Sequence, residues 1–227
     1  RVLSESHENL SDIAVLAIAV QDHGISPKET SNRRFRLAKM RELLGKDPTL
    51  QNLAFLGDEV PRYYLRMKAA VSAAEEQLPN AKLVIMDTAP AAILGCLEAP
   101  YMRGEPLLTV NVGNCHTMAA LITNGRVGGI VEHHTHLMTP RKIENLLIDF
   151  ADGRLTDEAV FEDNGHGAFF LSNPPSFSRI KSVAATGPRR EILRKTGLTV
   201  HFAAPAGDMM MTGPIGLVKA AKAKLKL

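Results

Sequence analysis

The chain has 227 residues, 45% of them hydrophobic and 22% charged, with a formal net charge of +3. That length suits one large domain or two small ones with a sizeable core, and the composition is ordinary for a globular protein. The small charge argues against a nucleic-acid partner, and the lack of any apolar run of ~18 residues argues against a membrane-spanning helix, so a cytoplasmic location is expected.

Residues 13–20 (IAVLAIAV) form a continuous apolar run of strand length, as a buried parallel strand would, and end in the polar loop Gln21-Asp22-His23-Gly24. Ser31 or Asn32 is placed to cap a helix holding Phe35, Leu37, Met40, Leu43 and Leu44, closed at Gly45. A longer helix follows Pro61, with Tyr63, Tyr64, Met67, Val71, Ala74 and Leu78 on one face. Residues 82–86 (KLVIM) read as a second short buried strand, and residues 89–97 as a small-residue helix after Asp87-Thr88.

The second half is more regular. Strands are expected at 107–112, 115–122 and 126–132, with Asn124-Gly125 as a two-residue hairpin signal. A helix opens at Thr139-Pro140 and runs to Phe150. Strand 179–185, helix 189–195, strand 198–203 and helix 214–225 follow, while residues 156–178, rich in Gly, Asn and Pro, read as an insertion. From residue 107 the order is β-β-β-α-β-α-β-α. The four lysines at 219, 222, 224 and 226 suit the C-terminal end of the last helix, a solvated face.

If Asn124-Gly125 and Gly113-Asn114 are both two-residue turns, His116 faces His133 and Asn111 faces His116. Cross-strand partners share a sheet face, so Asn111, His116 and His133 are expected in one polar row, continued inward by Met118, Ala120 and Val131. Gly113-Asn114 would let backbone approach a phosphate, or is a simple turn. Residues 132–136 (EHHTH) are rich in imidazole. His116, His133, His134, Asp163, His166 and Asp208 could converge on a divalent metal of the zinc, iron or manganese type, although their spacing matches no short metal motif. The alternative is that these histidines bond to loop backbone or an anion. Asp163-Asn164-Gly165-His166-Gly167 is a loop that either covers a site or merely connects elements. Gly187-Pro188-Arg189 offers amides at a helix start, which attract anions, or is a surface turn. Asp208 is a catalytic candidate or an N-cap, and Met209-Met210-Met211 is core filler. Cys96 and Cys115, the two cysteines, read as free thiols.

Three stretches resemble the actin-like ATPase and sugar-kinase superfamily, whose two subdomains are ribonuclease H-like three-layer α/β/α units with a mixed sheet. Residues 110–117 with 124–126 resemble its second phosphate-binding hairpin, residues 183–190 with Gly216-Leu217 its adenosine motif, and Gln21-Asp22-His23-Gly24 the loop that some sugar kinases place beside substrate. The resemblance implies that residues 1–100 are the remnant of a first subdomain and 101–227 a second one. It implies ATP or another phosphate ligand against Asn111, Gly113, Asn114, Thr117, Gly187, Pro188 and Arg189, with His23, His116, His133 and Asp208 as catalytic candidates. The superfamily usually has Asp, a magnesium ligand, where this chain has Asn111, a poorer ligand for a hard cation.

The whole chain also resembles a family of archaeal and bacterial proteins that often carry the label "putative pyruvate formate-lyase activating enzyme". The resemblance implies an Asp-Gly-Thr phosphate loop upstream of this region. The chain starts at Arg1, so it is expected to be a C-terminal piece, with strand 13–20 at an open sheet edge and a homodimer as one way to cover it. A radical enzyme of the labelled type needs three closely spaced cysteines for an iron–sulfur cluster, and Cys96 and Cys115 stand 19 positions apart. The expected function is phosphoryl transfer or ATP hydrolysis in a cleft, with a metal-dependent histidine enzyme and a non-catalytic ligand-sensing domain as alternatives.

Overall fold

The computed structural model describes residues 12–28, 30–99 and 104–227. The start of the chain, and the expected division at 100/101, lie outside the described residues. The protein is a mixed α/β protein, with two sheets among the described residues.

The first sheet has the order β1-β3-β2, formed by Val15–Ala19 (β1), Ala54–Leu56 (β2) and Lys82–Met86 (β3). β1 runs parallel to β3 and lies at the edge, while β2, not expected from the sequence, runs antiparallel on the other side. Alternation along β3 divides its side chains: Leu83 and Ile85 pack under helix α2 (Leu65–Gln77) with Met67 and Val71, and Val84 and Met86 enter a different core. Helix α1 (Asn32–Lys46) is capped by Ser31, whose side chain accepts from Arg33 N.

The second sheet has six strands: Leu107–Val112 (β4), His116–Thr123 (β5), Arg126–His134 (β6), Gly167–Phe170 (β7), Ser182–Thr186 (β8) and Val200–Phe202 (β9), in the order β7-β6-β5-β4-β8-β9. β4, β5, β6 and β7 pair antiparallel, and β8 and β9 join in parallel. Two differences from the expected order stand out. The segment read as an insertion holds helix α5 (Asp157–Glu162) and strand β7, and the expected helix after Gly187 is a 3₁₀ turn, Arg190–Lys195.

Helix α4 (Pro140–Ala151) covers one face of this sheet through Ile143, Leu147 and Phe150. Helices α3 (Thr88–Cys96) and α6 (Thr212–Leu225) lie between the two sheets, α3 against β4 and β8 and α6 against β1 and β3. They touch backbone to backbone: a Cβ on Gly216 would lie 1.9 Å from Ala91 O, and one on Gly95 1.8 Å from Thr212 O. The resulting core is continuous from Val84 and Met86 through Leu217, Ala220, Ala91 and Leu94 to Met118, Ala120 and Ile130. Burial of this interlayer core is what seats the two sheets against each other.

The expected polar row is corrected by the register. Thr123 pairs with Arg126 across the two-residue turn, but Leu121 pairs with Gly129, leaving Gly128 as an extra residue on β6. A one-residue bulge reverses which face every later side chain meets. His116 therefore faces His134 rather than His133, and Glu132 shares its face. His133 and Val131 turn to the α4 side. The other hairpin turns at Asn114-Cys115, with Gly113 N donating to His116 O at 2.9 Å, so Asn111 pairs with Met118. That shift of two keeps Asn111 on the face of His116, and Thr117, the next residue on β5, points to the opposite face, where its hydroxyl meets Thr135 Oγ1 at 3.0 Å.

Candidate functional site

Helix α1 carries Arg36, Met40 and Leu44 on one buried stripe. Arg36 is 1% exposed and is held by two carboxylates. Its Nη1 and Nη2 donate to Asp87 Oδ2 and Oδ1 at 2.7 and 3.0 Å, and its Nε and Nη2 to Glu132 Oε2 and Oε1 at 2.8 and 3.1 Å. Asp87 also caps α3 by accepting from Ala89 N. Burial alone would push the Glu132 carboxyl up; the charge of Arg36, the adjoining His166 and the hydrogen bonds from Arg36 outweigh it and hold the group far below the usual carboxylate range. Planar bidentate pairing on both sides makes this a rigid centre joining α1, β3 and β6.

The same arginine fixes the loop after β1. Nη1 donates to Asp22 O at 2.8 Å, and the Asp22 side chain accepts from Gly24 N, Arg66 N and Met67 N, which caps α2. His23 is thereby carried over the second sheet. Its ring centroid lies 4.9 Å from that of His116 and 5.2 Å from that of His166, and the His116 and His166 rings are 4.7 Å apart. His134 stands beside them, 4.9 Å from His166 and 5.1 Å from His116. One ring nitrogen from each of His23, His116 and His166 lies within 4.8 Å of the others.

Burial lowers the pKa of His23, and lowers those of His116 and His134 to about 4. The imidazoles are therefore neutral at neutral pH, with lone pairs available to a cation. His166 is 1% exposed, and its Nδ1 lies 3.0 Å from Glu132 Oε2, within ion-pair reach but poorly aligned for a hydrogen bond. The Nε2 atoms of His166 and His23 are buried without a hydrogen-bond partner.

A cavity of about 430 Å³ opens beside His116. Its wall includes Gln21, Thr88, Ala89, Asn111, Gly113, Asn114, Gly187, Pro188 and Thr212. Gln21 follows β1, Thr88 follows β3, Gly113 follows β4 and Gly187 follows β8, so the ends of four strands meet at one cleft. Gly187 has φ +98°, and a Cβ there would lie 2.4 Å from Val112 O, so only glycine fits. The Gln21 amide touches His116 Nδ1, linking the cleft wall to the histidine group. Arg189 borders a neighbouring cavity with His136 and Lys195, on the far side of Pro188.

Other candidate residues lie elsewhere. His133 Nε2 is 3.1 Å from Asp163 Oδ2, which also pairs with Lys142 Nζ at 2.6 Å, so neither belongs to the histidine group. Asp208 is exposed and caps the turn Met209–Met211, accepting from Met210 N at 2.9 Å. The loop before β7 is pinned rather than loose: Arg33 Nη1 donates to Gly165 O at 2.6 Å and His166 N to Glu132 O at 2.9 Å. Arg36, Asp87 and Glu132 were missed as site residues. An arginine on the apolar stripe of α1, spaced four and eight from Met40 and Leu44, is the signal that could have found the first.

A family described as "Putative pyruvate format-lyase activating enzyme (DUF1786)" matches residues 1–192. The chain belongs to that family. No curated protein matches the sequence. Among solved structures, an exopolyphosphatase-like protein is similar at 13% identity with a TM-score of 0.26, over 68% of this chain and 51% of that one. The chain thus spans about half the length of that structure. The two cysteines do not fit the cluster that the family's description calls for. Cys96 is buried against Ala184 and Ala203, its thiol pushed up to about 12 by burial, and Cys115 is exposed in the β4–β5 turn. No helix among the described residues is long and apolar enough to cross a membrane.

Proposed function

We propose that this chain is a phosphate-ligand-binding protein of actin-like, ribonuclease H-like fold, acting in phosphoryl transfer or ATP hydrolysis. The observation that carries the reading is the convergence of four strand ends, after β1, β3, β4 and β8, on one cleft. Open α/β sheets bind ligands beyond the carboxyl ends of their strands. Here those ends supply what a phosphate needs: close backbone at Gly113 and Gly187, amide side chains from Asn111 and Asn114, and the first turn of α3 at Thr88 and Ala89. The run of antiparallel β4, β5 and β6, with β8 and β9 added in parallel beside β4, supports the fold assignment; β7 is an extra antiparallel strand at the other edge.

Among the described residues, the wall contains no Asp, Glu, Lys or Arg. The charge of a bound phosphate would be met by backbone dipoles and by a divalent cation brought with the ligand or held nearby. Asn111 in place of an acidic residue weakens any hard-cation site at that position.

Calorimetric titration with ATP, ADP and inorganic phosphate, each with and without Mg²⁺, tests this. Binding of one or more of them should weaken on Asn114→Asp, which adds a negative charge at an exposed turn without touching the core. Failure of the parent protein to bind any of them, or equal binding by the variant, overturns the reading.

A further inference from the structure

We propose that His23, His116 and His166 form a binding site for a divalent transition metal, with Glu132 orienting His166. The site goes beyond the phosphate cleft and stands independently of it. Neither the histidine set nor its supporting carboxylate follows from the family's description.

The three ring nitrogens come from three separate parts of the fold: the loop after β1, the start of β5, and the residue before β7. They nevertheless lie within 4.8 Å of one another. A buried imidazole nitrogen without a partner forfeits on the order of 1–3 kcal/mol. The Nε2 atoms of His23 and His166 both stand in that position within one cluster. A metal ion resolves both deficits at once. Tetrahedral coordination at about 2.0–2.1 Å requires nitrogens about 3.3 Å apart, so a pair at the 4.8 Å limit needs to close by about 1.5 Å.

The surrounding charges prepare the site. Glu132 is fully buried, and Arg36 orders it by donating to both of its oxygens. Its Oε2 also faces His166 Nδ1 at 3.0 Å. A carboxylate on the far nitrogen of a ligating histidine fixes the tautomer that leaves Nε2 unprotonated and strengthens it as a ligand. Three imidazole ligands suit zinc, cobalt, nickel or iron(II) and disfavour magnesium and calcium, which take oxygen ligands. Three protein ligands leave a fourth position open. His116 belongs both to this set and to the cleft wall, so water or a phosphoryl oxygen in the cleft would be the natural fourth ligand.

The test uses the whole chain, stripped with chelator and dialysed. Zn²⁺, Co²⁺ and Mg²⁺ are titrated by calorimetry, and Co²⁺ also by its visible absorption. The parent should take up about one equivalent of Zn²⁺ or Co²⁺, with nitrogen-ligated cobalt bands and far weaker Mg²⁺ uptake. His116→Asn should abolish the bands. Glu132→Gln should weaken Zn²⁺ binding by about 10- to 100-fold. Asp163→Asn and His201→Asn should leave binding unchanged. A parent without cobalt bands or stoichiometric uptake overturns the site, whether or not any variant folds, and so does a His116→Asn protein that binds as the parent does. Because no phosphate is present, failure here leaves the cleft reading standing, and failure of phosphate to bind leaves the metal site standing.

Discussion

Replacing Arg36 with Met tests whether the buried charge centre organises the site. Met fills much of the same aliphatic volume, so packing changes little, but Asp87 and Glu132 are left as two buried carboxylates without their shared cation. Asp87 would keep Asp22 N and Ala89 N, and Glu132 would keep His166. Breaking a buried ion pair by removing one partner costs about 3–5 kcal/mol, and each kcal/mol lowers Tm by roughly 2–4 °C at this size. The expected loss is therefore roughly 6–20 °C at about pH 7.

The deficit should depend on pH. In the parent, Glu132 has a depressed folded pKa, and its contribution is present above the unfolded value and lost as pH falls. In the variant, burial without Arg36 raises the folded pKa, so the fold is relatively favoured at low pH and weakened as pH rises through that value. The gap between the two proteins should then narrow from about pH 7 to about pH 4.5. Urea denaturation of both proteins across that range reads it. A loss under about 1 kcal/mol, or a gap that does not change with pH, refutes the assigned role.

The chelator-treated parent should itself lose stability in acid. His116 and His134 have folded pKa values of about 4, below the ordinary 6.5, so unfolding takes up protons and stability falls as pH drops from 6.5 toward 4; a urea midpoint that stays flat across that window would contradict this. Gly216→Ala in α6 should destabilise. Alanine ordinarily gains about 0.5–1 kcal/mol over glycine within a helix, but here its Cβ would lie 1.9 Å from Ala91 O, and overpacking of about 1–3 kcal/mol wins. A higher Tm for that variant would show that α3 and α6 are not held as described.

Local chemistry made much of the fold legible. The run KLVIM is β3 itself, Ser31 caps α1, Thr139-Pro140 opens α4, and Asn124-Gly125 turns the β5–β6 hairpin. Each rests on a property of a few adjacent residues: apolar content, a side-chain cap, a fixed φ, or a turn that tolerates positive φ. The cleft residues Asn111, Gly113, Asn114, Gly187 and Pro188 could also be picked out, because glycine-rich turns after strands are local features too. What adjacency could not supply was parity and long-range approach. One extra residue at Gly128 reversed the later part of β6, so His134 and Glu132, not His133, face His116. His23, Arg36, His116 and His166 are far apart along the chain, and only the seating of α1 and the β1 loop over the second sheet brings them together. That seating comes from burial of the core shared by both sheets, which no single stretch of sequence specifies.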